Sequence, residues 1–212
     1  MTSRYTGKCM AAPPQKSLRE RKKSEAQAKV LAVAHRLFRR SSFDATTLRQ
    51  ICGESSISKR TFFRYFRDKE SLIFPHREER LQEFVRFLRA HEQVENPFDS
   101  LRSATRAFGA RYSDNKAYLL STQEMILSSP SLLARETEVD RDWEEAIANT
   151  FSLRSGNHPA DDLWARVLAG AIMGVVRSTM NYWFDRKCED DLTQLGLDAL
   201  DFLERGFPHR VD

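Results

Sequence analysis

The sequence predicts an all-α protein of about nine helices, and three observations carry that prediction. Apolar residues recur at spacings of three and four through most of the chain, which is the repeat of a helix with one buried stripe. Helix starts are marked by cap-proline pairs at Asn96-Pro97 and Ser129-Pro130, and by the capping-box pattern Ser17-Leu18-Arg19-Glu20. No stretch alternates polar and apolar residues for long enough to make a strand. With 212 residues the chain can bury one large core or two small ones.

Residues 1–16 are polar, basic and contain Pro13-Pro14, so a disordered arm is expected and no signal peptide. The first helix then carries its core stripe on Val30, Leu31, Ala34, Leu37 and Phe38, with His35 one turn away as a half-buried structural histidine. Arg19, Arg21, Lys22 and Lys23 precede that stripe, placed either to bond phosphates or to enter a minor groove. Phe43 to Leu72 is the most patterned stretch. Thr46 and Thr47 are N-cap candidates for a short helix whose stripe is Leu48, Ile51 and Cys52. Glu54 to Ile57 is long enough only for a tight turn, and Ser58 caps the next helix, which turns Phe62 and Phe66 inward. Lys59, Arg60, Phe63 and Arg64 are left on the opposite face. That is a poor solvent face but a good major-groove face, since arginine bonds guanine bidentately and an apolar edge meets a thymine methyl.

The charge pattern agrees. Met1 to Lys69 holds 17 Lys+Arg against 5 Asp+Glu, whereas Glu70 to Asp212 holds 17 against 25. The basic third is suited to a polyanion.

Phe43, Thr46, Thr47, Ile51, Ile57-Ser58-Lys59, Thr61, Phe63, Tyr65-Phe66, Lys69-Glu70 and Leu72 together resemble the DNA-binding domain of the TetR family of bacterial regulators. The resemblance implies a three-helix N-terminal helix-turn-helix domain (17–67) and a larger C-terminal helical bundle (68–212) for ligand binding and dimerisation. It implies phosphate contacts from Thr47, Ser58, Thr61, Phe63, Tyr65 and Lys69, and base-edge contacts from Lys59, Arg60 and Arg64, with Thr46 beside them in the DNA-contacting set. Three departures stand out. Ser56 replaces the turn glycine and is strained if its φ is positive, Phe63 replaces a tyrosine, and Arg60 replaces a small residue.

Beyond the basic third, Asp68 is expected to open a helix running to Ala90 and kinked at Pro75, carrying Leu81, Phe84, Val85, Phe87 and Leu88. Pro97 opens a helix with Phe98, Leu101, Thr105, Phe108 and Tyr112. Ser113-Asp114 caps one with Tyr118, Leu119, Gln123, Met125, Ile126 and Leu127. Pro130 opens another, with Leu132, Leu133, Val139, Trp143, Ile147 and Phe151, ending near Ser155-Gly156. The helix from Asp161 to Arg186 is apolar nearly all round, and its Gly170 and Gly174 leave a groove where a second backbone can approach. Asp190 to Gly206 makes the last helix. The surplus apolar surface of these two helices suits a partner. The resemblance assigns it to a homodimer through Val167, Ala171, Gly174, Leu192, Leu195, Leu200 and Leu203.

Phe87, Phe108, Tyr112, Met125, Trp143, Met173 and Arg177 are candidate pocket residues for a small-molecule effector, with ordinary core as the competing reading. Arg177 needs an anionic partner, either a ligand head group or a carboxylate of the protein. Thr122-Gln123-Glu124, Leu132-Leu133-Ala134-Arg135, Asp142-Trp143-Glu144 and Glu189-Asp190-Asp191-Leu192 are similar to the mycofactocin-regulator branch of the family, which favours an apolar or acyl-bearing effector.

The five histidines are scattered without metal-ligand spacing, and no phosphate loop or nucleophile elbow is present. Cys9, Cys52 and Cys188 form no disulfide or metal pattern. No catalytic residue, cofactor or metal is expected. The longest uncharged apolar run, Val167 to Val176, is about half a membrane span, so a soluble cytoplasmic protein is expected. The expected function is a homodimeric repressor, reading a palindromic DNA operator through residues 58–66 and released by an effector. An activator of the same fold and an effector-independent architectural DNA-binding protein are the alternatives.

Overall fold

The computed structural model describes residues 17–90, 96–113 and 115–206, so the N-terminal arm with Cys9, the Asp114 cap, His91 and His209 lie outside the described residues. Among these residues the protein is all-α, with nine α-helices and one 3-10 turn. The helices are α1 (Leu18–Ser41), α2 (Leu48–Ser55), α3 (Lys59–Tyr65), α4 (Arg77–Ala90), α5 (Pro97–Ser113), α6 (Lys116–Leu127), α7 (Pro130–Arg154), α8 (Leu163–Asp185) and α9 (Leu192–Arg205).

The capping box of α1 forms as the spacing predicts, with Ser17 accepting from the Glu20 amide and Glu20 accepting from the Ser17 amide. The helix expected from Asp68 to Ala90 is not one kinked rod. Asp68 accepts from the Ser71 amide at 2.8 Å, a 3-10 turn spans Glu70–Leu72, and α4 starts afresh at Arg77. Pro75 lacks an N–H and disfavours helical geometry at Phe74, and His76 adopts φ 57°, so the break is complete.

Three apolar cores result. The first packs α1, α2, α3 and the 3-10 turn around Val30, Leu37, Phe38, Phe43, Ile51, Phe62 and Leu72, and is closed by Met125, Ile126 and Leu132 from the α6–α7 corner. A boundary drawn between residues 67 and 68 therefore does not separate the cores. The second lies between α4, α5, α7, α8 and α9, around Leu88, Leu101, Ile147, Phe151, Ile172 and Met173. The third gathers Tyr112, Leu119 and Leu195 about the buried Trp183, whose indole N–H donates to the Asp190 carbonyl at 2.9 Å.

Within the chain Gly170 and Gly174 meet no other backbone: a Cβ at Gly174 meets nothing within 4 Å, and one at Gly170 meets only the Glu144 carboxylate, at 3.5 Å. The close approach is elsewhere, between α5 and α9. A Cβ on Gly109 would lie 2.6 Å from the Thr193 hydroxyl oxygen and 3.3 Å from its Cα, and one on Gly196 would lie 2.8 Å from the Thr105 methyl. At the far end of that pair, Arg102 bonds Asp201 at 2.5 Å and also Glu204. The hydrogen bonds that Arg102 donates to Glu204 and then to Asp201 raise its pKa above the ordinary arginine value, and both carboxyls are lowered in turn.

Four polar links join the N-terminal helices and α4 to the α6–α7 arm: His35 Nε2 to the Tyr118 hydroxyl at 2.9 Å, Ser129 donating to Asp44 at 2.9 Å, Arg135 to Asp68 at 3.0 Å, and Arg77 to Asp142. Burial is the main reason the His35 pKa is lowered, so this link is made by a neutral imidazole near neutral pH.

Candidate nucleic-acid interface

The local chemistry of α2 and α3 sets the orientation of the interface. Thr47 caps α2 and forms a capping box with Gln50, the threonine amide donating to the Gln50 side chain at 2.8 Å. The helix ends at Ser56, which adopts φ 59° and ψ 42°, the left-handed conformation expected of a residue in the turn glycine's place. Ser58 caps α3, accepting from the Thr61 amide at 3.0 Å. Phe62 is fully buried and packs on Phe66 with ring centroids 5.3 Å apart. Those two rings pin the inner face of α3, so Lys59, Arg60, Phe63 and Arg64 project from the other side and are exposed. Phe63 is 55% exposed, with its ring edge-on to that of Phe62 at a centroid distance of 5.4 Å. Arg64 lies over the Tyr65 ring, 5.0 Å from its centroid, and donates to the Tyr65 hydroxyl at 3.1 Å.

Two residues of the expected DNA-contacting set are placed otherwise. Thr46 is 2% exposed and its hydroxyl donates to the Ser42 carbonyl, so it braces the loop before α2 and presents no surface to a ligand. Lys69 is half-buried; its ammonium donates to the carbonyls of Phe43 at 2.9 Å and Thr46 at 3.1 Å and sits 4.1 Å from the Phe43 ring centroid. It therefore ties the start of the 3-10 turn to the loop before α2. Of the remaining members, Thr47 and Ser58 are exposed at the N-caps of α2 and α3, and Thr61 and Tyr65 are half-buried on α3.

The structure adds residues that periodicity did not single out. Arg36 on α1 reaches Glu54 on α2 at 2.7 Å, with Arg40 at 3.7 Å from the same carboxylate. Gln50 completes the α2 cap, and the Thr-x-x-Gln spacing was the available signal for it.

The candidate effector residues are only partly brought together. Phe87, Phe108 and Trp143 join Phe84 in one aromatic cluster, with Phe84–Trp143 centroids at 5.1 Å and Phe87–Phe108 at 5.5 Å, and Met173 lies in the same core. Met125 belongs instead to the N-terminal core and Tyr112 to the cluster around Trp183. Arg177 is exposed and bonds Asp140 at 3.0 Å, so its partner is a carboxylate of the protein.

The candidate dimer set also divides. Val167 is 62% exposed on α8, whereas Leu192 and Leu200 are buried within the chain's own cores, and Leu195 and Leu203 pack beside them. Exposed apolar side chains run along α8 at Leu163, Trp164, Val167, Val176 and Tyr182. By length and composition α8 is apolar enough to cross a membrane, but its buried residues Ala165, Ala169, Ile172 and Trp183 pack against other helices of the bundle.

Comparison with known proteins places this architecture. Residues 30–74 match the profile of the N-terminal domain of bacterial regulatory proteins of the TetR family, and residues 95–208 match that of the MftR C-terminal domain. The chain is similar to the HTH-type transcriptional regulator TcmR of Streptomyces glaucescens, with 26% identity over 202 residues, covering 91% of this chain and 89% of TcmR. Among solved structures it is similar to Thermus thermophilus FadR, a TetR-family transcriptional repressor in complex with lauroyl-CoA, with a TM-score of 0.59 at 21% identity and coverage of 88% of this chain and 97% of that one. FadR of Bacillus subtilis in complex with stearoyl-CoA has a TM-score of 0.57 at 16% identity, covering 85% and 98%.

Proposed function

The chain belongs to the TetR family and is a helix-turn-helix transcription regulator, and from that premise we propose that it acts as a homodimeric repressor released from a palindromic operator by a small apolar effector. The observation that carries the reading is the outer face of α3, where Lys59, Arg60, Phe63 and Arg64 stand exposed on a helix capped by Ser58. Arg60 and Arg64 supply bidentate donors for guanine edges, and Phe63 supplies apolar contact for a thymine methyl or a sugar. A helix of seven residues spans only a few base pairs, so useful specificity requires two copies about 34 Å apart on successive turns of the duplex. The exposed apolar patch at the start of α8, Leu163, Trp164 and Val167, is the surface that would pair the two copies.

For the effector, the Phe84, Phe87, Phe108 and Trp143 cluster supports an apolar or acyl-bearing molecule, in keeping with the acyl-CoA esters bound by the two FadR structures. The rings pack on one another, so an entering chain must part α4 from α5 and α7. That displacement reaches the DNA-binding half through α7, by the Arg135–Asp68 pair and by the α6–α7 corner that closes the first core. The effector acts as far as it prefers one separation of the two α3 helices over the other.

The experiment is selection of duplexes from a random library by the full-length protein, followed by measurement on the winning sequence. The expected result is a two-fold symmetric site. Arg60→Ala should weaken specific binding by about 1–3 kcal/mol and relax preference at one position per half-site. A selected pool with no symmetry, or Arg60→Ala binding the winner as tightly as the parent, would overturn the reading.

A further inference from the structure

The first third of α1 is an overhang. Every residue from Leu18 to Glu25 is exposed, Ala26 and Gln27 are half-buried, and the first core residue of the helix is Val30. At about 1.5 Å per residue this puts some two turns of helix, about 12 Å, beyond the packed body. Helices of that length are marginal in water unless tertiary contacts hold them. Here the protein supplies a capping box at Ser17 and Glu20 but no apolar backing.

Arg19, Lys22 and Lys23 fall at i, i+3 and i+4, on one face, where like charges repel by a few tenths of a kcal/mol per pair. That face is turned toward the end of α3. A cleft of about 620 Å³ lies between them, lined by Leu18, Arg19, Lys22, Lys23, Arg64 and Tyr65. Four of the six lining side chains are cations, and none is a carboxylate. Arg64 is shared with the exposed face of α3, so the cleft opens from the edge of the base-reading surface.

We propose that this cleft grips the DNA phosphodiester backbone beside the segment read by α3, so that the α1 overhang is a second, sequence-independent contact that lengthens the footprint of each half-site. The proposal rests on the reading of α3 as the base-reading helix. The physical reason is charge complementarity: a polyanion strand laid in the cleft turns the mutual repulsion of Arg19, Lys22 and Lys23 into attraction and releases counterions from the DNA. The strand also supplies the partner that the exposed helix lacks.

The test compares full-length parent protein with the triple variant Arg19→Ala, Lys22→Ala, Lys23→Ala on the selected duplex, on the same duplex trimmed at both flanks, and on a random-sequence duplex. All three residues are exposed, so the thermal midpoint and helicity of the variant serve as the check that it folds. The expected result is a loss of roughly 10- to 100-fold in affinity at low salt and a fall of about two to three in the slope of log K against log salt. The order of preference among sequences should stay the same, and parent and variant should converge on the trimmed duplex. If no sequence is selected at all, the operator reading fails, but the same loss on random duplex still supports the clamp. Unchanged affinity and slope would overturn it. So would a change in which sequence is preferred, because that means the overhang reads bases. Loss of binding to phosphatidylserine vesicles with DNA binding intact would also overturn it, because the basic face then serves a membrane surface.

Discussion

Lys69 illustrates how a residue can match a motif and be placed for different work. Its position in the chain matches a phosphate-binding lysine, yet its ammonium is engaged by the Phe43 and Thr46 carbonyls and the Phe43 ring. Lys69→Ala should therefore act first on stability. It leaves two carbonyls without their donor, at a cost of about 1–2 kcal/mol, seen as a drop of several degrees in the thermal midpoint before any DNA is added. An unchanged midpoint with weakened DNA binding would return Lys69 to the phosphate role. Ser56 makes the opposite case. It holds φ 59° at the end of α2, a conformation that a side chain opposes by about 1 kcal/mol, so Ser56→Gly should raise stability by about that much. Its α3 face is untouched, so the affinity of the variant for DNA should match the parent's in the same titration.

Among the elements, α5 and α9 meet at two glycines, whereas the glycines of α8 meet no backbone within the chain. Gly109 and Gly196 each face a threonine on the opposing helix, and neither has room for a side chain. Gly109→Val should cost about 1–3 kcal/mol by overpacking, measured by urea unfolding, whereas Gly53→Ala on α2, where a Cβ meets nothing within 4 Å, should gain up to about 1 kcal/mol. The glycines of α8, four apart on an apolar helix, meet no backbone within the chain, because spacing within one helix does not set which neighbour lies opposite. The 3-10 turn and the break at Pro75 are a similar case. Proline marks an interruption in the sequence, and whether the chain bends or restarts depends on the residues around it, here Phe74 and the positive φ of His76.

For the whole molecule, the exposed patch at the start of α8 is the surface that matters most to assembly. Val167→Glu places a charge where the monomer exposes an apolar side chain, so the fold should tolerate it while a dimer built on α8 should not. Sedimentation should show a monomer for the variant at concentrations where the parent is dimeric, and specific DNA affinity should fall with it. If the variant sediments as the parent does, α8 is not the interface. The helical architecture and the outward face of α3 were legible in the sequence alone, because both follow from the periodicity of 3.6 and from caps, which are local. Ser17, Thr47 and Ser58 cap helices as their spacing implied, and Phe62 and Phe66 turn inward together. What only the tertiary structure decided were the pairings across the chain. Met125 and Leu132 close the first core from more than 80 positions beyond Phe43, Leu192 and Leu200 are consumed inside their own subunit, and Arg177 finds Asp140. A pattern of apolar residues reports that a face will be buried, but the partner that buries it is set by the packing of helices distant in sequence.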